Sequence, residues 1–159
     1  GSLMGIYMDS FEGDSKVTVH PVNQSGASSR EISDIDVYLG GEIYYAIEVK
    51  DKNFTLSDIA HAVKKAQKGG CASLIFVHGE TATFDAEGIK GYRENLATSE
   101  SFNLQIVSVN SYTTMIVALV GVIDKSVFWR ELSKYAASAK VKDATSTHML
   151  ATAKSCGWS

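Results

Sequence analysis

Ser33-Asp34-Ile35-Asp36-Val37-Tyr38-Leu39-Gly40-Gly41-Glu42-Ile43-Tyr44-Tyr45-Ala46-Ile47-Glu48-Val49-Lys50 is the stretch that decides the fold. Its two arms alternate with period two and are rich in β-branched and aromatic residues, so they read as a β-hairpin. Gly40-Gly41 suits the turn, because both positions accept positive φ without steric cost. Alternation puts Ile35, Val37 and Leu39 on one face of the first arm, with Asp34, Asp36 and Tyr38 on the other. On the second arm Ile43, Tyr45, Ile47 and Val49 oppose Tyr44, Ala46, Glu48 and Lys50. If the apolar faces coincide, Asp34, Asp36, Glu48 and Lys50 converge on the opposite side. Three carboxylates around one ammonium exceed an ordinary ion pair and suit a divalent cation.

The pattern Asp34…Glu48-Val49-Lys50 resembles the D…(D/E)xK signature of the PD-(D/E)XK nuclease superfamily, which includes type II restriction endonucleases and Holliday-junction resolvases. The flanking Ile47-Glu48-Val49-Lys50-Asp51-Lys52, with a helix to follow, adds to the likeness, which spans roughly residues 16–80. Ser33 stands where that family's pattern has proline. A slighter likeness, carried by His20-Pro21-Val22-Asn23-Gln24-Ser25-Gly26 with the hairpin, is to SacI-like restriction enzymes.

The resemblance implies that Asp34 and Glu48 hold a metal and that Lys50 positions the attacking water or stabilises charge on the phosphate. Hard oxygen donors without cysteine or paired histidine point to Mg²⁺, with Mn²⁺ as a substitute. Such an ion lowers the pKa of a bound water and stabilises a phosphate oxygen. A two-residue Gly40-Gly41 turn sets Glu48 opposite Ser33, and a three-residue turn including Glu42 sets it opposite Asp34. Asp36 would face Glu48 only if the turn slid past the glycines. Asp34 is therefore the first choice as main ligand, with Asp36 available for a second metal or a water.

Charge is segregated along the chain. Residues 1–49 carry eight acids and two bases, whereas residues 50–70 carry five lysines and two acids. Lys52, Lys64, Lys65 and Lys68 thus follow directly on the acidic cluster, placed to attract the phosphates of double-stranded DNA. Asn23, Gln24, Ser28 and Arg30 lie in a polar loop before the hairpin and could touch DNA backbone or bases. Gln67 falls on the next helix, where some relatives in the superfamily carry an active-site glutamine. A solvated helix face and an ordinary surface loop are the plain alternatives for these residues. His20, His61, His78 and His148 have no metal-ligand spacing and read as structural.

Along the chain, Lys16 to His20 reads as a first strand. Thr55-Leu56-Ser57-Asp58 fits a capping box opening a helix that buries Ile59, Ala62, Val63 and Ala66 and closes at Gly69-Gly70. Ala72 to His78 suits a strand buried on both faces and parallel to the Glu48 strand. A less regular helix follows from Phe84 to about Glu100, then a strand from Leu104 to Val109. A long helix from Tyr112 to about Ala139, broken near Gly121, and a last one from Ala144 to Lys154 complete the order. The expected fold is α/β, a central mixed sheet flanked by helices, which is the layout of a restriction-endonuclease-like core.

With 159 residues the chain fits one domain, 4–159, behind a Gly1-Ser2-Leu3 that resembles a cloning scar. It could equally be excised from a longer protein. No stretch has a signal-peptide layout, and the apolar run Met115 to Ile123 is too short to span a membrane, reading instead as a buried helix turn. Cys71 and Cys156 suggest two reduced thiols in a cytoplasmic protein. P-loop, G-x-G-x-x-G, G-x-S-x-G and H-E-x-x-H patterns are absent. The sequence therefore points to a Mg²⁺-dependent restriction-type endonuclease, a homodimer only by analogy. A Holliday-junction or repair nuclease and a non-catalytic DNA-binding domain of the same fold are the alternatives.

Overall fold

A computed structural model describes residues 2–10, 14–21 and 31–155. The order is α1 (Ser2–Asp9), β1 (Ser15–Val19), β2 (Ile35–Leu39), β3 (Glu42–Lys50), α2 (Leu56–Lys68), β4 (Ser73–His78), α3 (Ala86–Ser99), β5 (Asn103–Ser108), α4 (Val109–Val120), α5 (Lys125–Ser138) and α6 (Asp143–Ser155). The strands form one sheet in the order β1-β2-β3-β4-β5. β1, β2 and β3 pair antiparallel, and β3, β4 and β5 pair parallel. This is the α/β mixed sheet with flanking helices that the sequence implied.

The hairpin turns on Gly40 and Gly41, with φ of +60° and +84°. Its register is not that of a simple turn. Leu39 faces Glu42 and Tyr38 faces Ile43, but beyond a bulge Val37 faces Tyr45, Asp36 faces Ala46 and Ile35 faces Ile47. Tyr44 is the extra residue. It reverses the alternation expected of β3, because a bulge places two residues opposite one and shifts all later side chains. Ile43 consequently packs with the α2 and α3 core, while Tyr45 packs on the other face.

Both faces of the sheet are covered. Leu74, Phe76, Leu104 and Ala46 meet Ile59, Val63 and Ala66 of α2 and Ile89 and Leu96 of α3. On the far side Val37, Ile47, Ile75 and Val77 meet Met4 and Met8 of α1 and Tyr112 and Ile116 of α4. The buried stripe of α2 repeats at the helical period, and Thr55 with Asp58 forms the expected capping box, which satisfies backbone donors that the first turn leaves free. Phe54 closes the entrance to α2 by stacking on Phe84, with ring centroids 4.7 Å apart.

One helix has no counterpart in the sequence reading, one break falls where it was expected, and one expectation is corrected. Residues 2–9 form α1, whose methionines complete the second core, although no turn or capping signal marks the helix. The break expected near Gly121 divides the 112–139 stretch into two helices, since Gly121 at φ +76° ends α4 and Asp124 caps α5. The run from Met115 to Ile123 is not a buried turn. Only Ile116 is fully buried there, while Met115, Val117, Leu119 and Val122 are exposed, because one stripe of α4 is enough to cover the sheet.

Candidate active site

Where β2 enters the sheet, side chains replace its backbone as partners of β3. The Ile47 N–H donates to Ser33 Oγ at 3.0 Å, and the Val49 N–H donates to Asp34 Oδ2 at 2.8 Å. Continued one residue past the ladder, the Ile35–Ile47 register sets Asp34 opposite Glu48. The Ile35–Ile47 pairing has the register that the three-residue turn would have given, but the bulge at Tyr44 brings it about.

Glu48, Lys50, Asp58, His61, Lys65 and Phe76 line a cleft of about 440 Å³ between β3 and α2. Asp34, His20, Lys50 and Lys52 line a neighbouring cleft of about 500 Å³. Lys50 borders both, and its ammonium lies 3.4 Å from Asp58 Oδ1. Asp58 in turn accepts the Thr55 N–H, so the helix cap and the lysine share one carboxylate. The Thr55 amide and hydroxyl hold the Asp58 carboxyl below its ordinary range.

Glu48 is the unsettled charge in this region. Burial and the nearby Asp34 carboxylate push its carboxyl up to about 7, against the opposing pull of Lys65 and Lys50. Lys65 weighs on Glu48 ahead of Lys50, which is consistent with the attachment of Lys50 to Asp58.

Asp36 does not join the cluster. It is 0 % exposed. Its Oδ1 receives the Ser33 N–H at 3.0 Å and lies 2.8 Å from the Ser33 hydroxyl; its Oδ2 receives the Ile32 N–H at 3.2 Å and lies 2.8 Å from His20 Nε2. A carboxylate has about four lone-pair sites, and these partners take up most of them. Gln67 is likewise placed elsewhere, donating to Glu100 Oε2 at 2.6 Å. Lys64, Lys65 and Lys68 are exposed on α2. Asn23, Gln24, Ser28 and Arg30 lie outside the described residues.

Sequence reasoning missed His20, Ser33, Asp58 and His61 as parts of this region. Only Asp58 carried a signal, through its capping box. Ser33 is informative in retrospect: a proline there has no N–H to give Asp36 and no hydroxyl for Ile47.

Asp34 and Glu48 also define what could be held. Asp34 spends Oδ2 on the Val49 amide, which leaves Oδ1 as the oxygen to offer a cation. No group of three or more potential ligating residues occurs among the described residues. Two carboxylates fit Mg²⁺, which keeps several waters and takes further oxygens from substrate phosphates, better than they fit zinc in an all-protein cage.

A mixed sheet with helices on both faces and an acidic, lysine-bearing cleft at the β2–β3 end places the chain in the restriction-endonuclease-like class. The SacI restriction endonuclease C-terminal domain family matches residues 1–80, from α1 through β4, and the chain belongs to that family. No curated protein matches the chain. No helix among the described residues is long and apolar enough to cross a membrane.

Proposed function

We propose that this domain is a Mg²⁺-dependent DNA endonuclease of the PD-(D/E)XK type that hydrolyses phosphodiester bonds in double-stranded DNA. The observation that supports the reading is the nearness of Asp34 to Glu48, whose carboxyl it pushes up, with Lys50 two residues on bordering both clefts. Asp34 and Glu48 would hold the ion, which when bound would polarise a phosphate oxygen and acidify a water. Mn²⁺ would substitute. The Glu48 carboxyl titrates at about 7 without an ion, and a cation would offset the repulsion from Asp34 that helps to keep the proton on.

Lys50 would orient the nucleophilic water or carry charge to the phosphate once released from Asp58. Lys65, in the Glu48 cleft, and Lys52, in the Asp34 cleft, would fix the DNA backbone beside it. Lys64 and Lys68 extend the same basic strip along α2. A homodimer on DNA follows only by analogy with restriction enzymes.

A second reading is a domain that binds DNA without cutting it. The ion pair that diverts Lys50 to Asp58 favours it. The assay that decides is cleavage of supercoiled plasmid and of four-way junctions over a Mg²⁺ titration. Plasmid cutting is the result expected. Selective junction cutting would move the substrate to branched DNA, and binding without cutting of either would leave the non-catalytic domain.

A further inference from the structure

We infer that His20 and Asp36 are positioning residues, which fix the Asp34 carboxylate against β3 without ligating the metal. The inference rests on the nuclease reading above, since it concerns one of the two proposed ligands. It removes Asp36 from the ligand set and gives it a different task.

Asp34 is exposed and precedes β2, so the β2–β3 ladder does not hold it. An exposed aspartate in a bend would sample several rotamers, and each would present a different face to a cation. Here three constraints meet. The Asp34 carbonyl accepts the His20 N–H at 2.9 Å, which ties the bend to the end of β1. The preceding residues, Ile32 and Ser33, give both backbone amides to Asp36. Ser33 Oγ, beside Asp36, accepts the Ile47 amide and so sets the distance from the bend to β3. Asp34 Oδ2 can then reach the next amide on that edge, Val49.

His20 joins the two halves of this arrangement. Its backbone holds the Asp34 carbonyl, while its Nε2 holds Asp36 Oδ2. Nε2 thus lies 2.8 Å from Asp36 Oδ2, while Nδ1 is turned toward Glu31, at 3.7 Å, beyond hydrogen-bond reach. A buried carboxylate is costly unless every lone pair is met. The surrounding donors therefore lock each other, and Asp36 acts as the knot between β1, the bend and β3. Groups that orient a metal ligand commonly alter metal affinity by about 10–100-fold when removed.

The test uses the full chain with Ca²⁺ as the metal probe, and the variants His20→Ala, His20→Gln and Asp36→Asn. Amide exchange at Val49 and Ile47 is read with metal absent, against Val77 in the neighbouring strand, with thermal melts alongside. His20→Ala is expected to speed Val49 and Ile47 exchange about tenfold while Val77 changes little, and to weaken Ca²⁺ binding about tenfold. His20→Gln, which can place an amide N–H where Nε2 stood, is expected to restore both. Asp36→Asn should act in the same direction as His20→Ala, and the two should not add in the double variant, because they break one network. Unchanged Val49 exchange in His20→Ala overturns the positioning role, as does equal acceleration at Val77. Loss of Ca²⁺ in Asp36→Asn with wild-type behaviour in His20→Ala also overturns it, making Asp36 a ligand. A wild type that binds no Ca²⁺ overturns the nuclease reading and with it the role of Asp34 as a ligand, a result separate from either exchange outcome.

Discussion

Asp34 accepts the Val49 amide 15 positions along the chain, through a single carboxylate oxygen at 2.8 Å. The bond occupies Oδ2 and anchors the side chain at the same end of the sheet as Glu48. An asparagine can keep that bond through its carbonyl oxygen while giving up the charge. Asp34→Asn should therefore fold with little loss of stability and lose divalent-cation affinity about tenfold or more, equivalent to at least about 1.4 kcal/mol. It should also relieve the repulsion on Glu48 and bring that carboxyl down toward its ordinary value. Calorimetric Mn²⁺ titration and carboxyl NMR check both halves. Wild-type affinity in Asp34→Asn would take Asp34 out of the ligand set.

Glu48 makes stability depend on pH in a direction unusual for a carboxylate. Its folded value, about 7, lies above the ordinary 4.5, so the folded state holds the proton more tightly than the unfolded one. The associated stability is complete below about pH 4.5 and is lost as pH rises through 7. The full span corresponds to at most about 3–4 kcal/mol, because each pH unit between the two values is worth about 1.4 kcal/mol. Glu48→Gln should accordingly melt higher than wild type at pH 8 in chelator and match it near pH 4.5. Adding Mg²⁺ at pH 8 should raise the wild-type melting temperature and leave Glu48→Gln unmoved. A variant advantage of the same size at both pH values would show that burial of the amide, not the proton, sets the difference.

Much of this region was legible from local chemistry. The Gly40-Gly41 turn, the Thr55–Asp58 capping box and the Ile59, Ala62, Val63, Ala66 stripe each depend on residues within a helical turn or a hairpin of one another, so their pattern survives in the sequence. The register that pairs Ile35 with Ile47 was legible only as one of two. What decided it was the Tyr44 bulge, and nothing in Ile43-Tyr44-Tyr45 marks which tyrosine is extra. The fate of Asp36 was hidden for another reason. Alternation gives the face of a side chain but not whether His20 from another strand will fill its lone pairs. Likewise, α1 is a short apolar helix whose burial comes from α4, α5 and β1, which no local pattern could supply.

The lysines of α2 are exposed and lie off the buried stripe, so replacing them should not disturb the fold. Lys64→Ala, Lys65→Ala and Lys68→Ala combined should weaken binding to duplex DNA and flatten its salt dependence. Every phosphate that goes unneutralised takes about 0.9 from the slope of log affinity against log salt. Lys65→Ala alone should have an added effect, because Lys65 opposes the raised pKa of Glu48 and its removal lets that carboxyl rise further. Fluorescence anisotropy across a salt series measures the slope. A triple variant with unchanged affinity and slope would return these lysines to plain solvated surface.

Lys50 separates binding from chemistry. Its ammonium rests 3.4 Å from Asp58, which also caps α2, and it borders both clefts. If Lys50 serves the attacking water or the phosphate, Lys50→Ala should abolish Mg²⁺-dependent cutting and leave metal affinity nearly intact, since Asp34 and Glu48 remain. Asp58→Asn should do the reverse of a simple loss. It keeps an oxygen for the Thr55 amide but no longer holds the lysine by charge, so cutting should persist or quicken. Its stability cost should stay within about 1 kcal/mol, the usual worth of a cap. Ca²⁺, larger and looser in geometry than Mg²⁺, should support binding without cutting. Plasmid nicking by wild type, Lys50→Ala and Asp58→Asn over one Mg²⁺ titration, with folding confirmed by thermal melt, decides the matter. Equal nicking by wild type and Lys50→Ala would remove Lys50 from the mechanism. Loss of cutting in Asp58→Asn with the fold intact would mean that the ion pair is the working position of the lysine rather than its resting one.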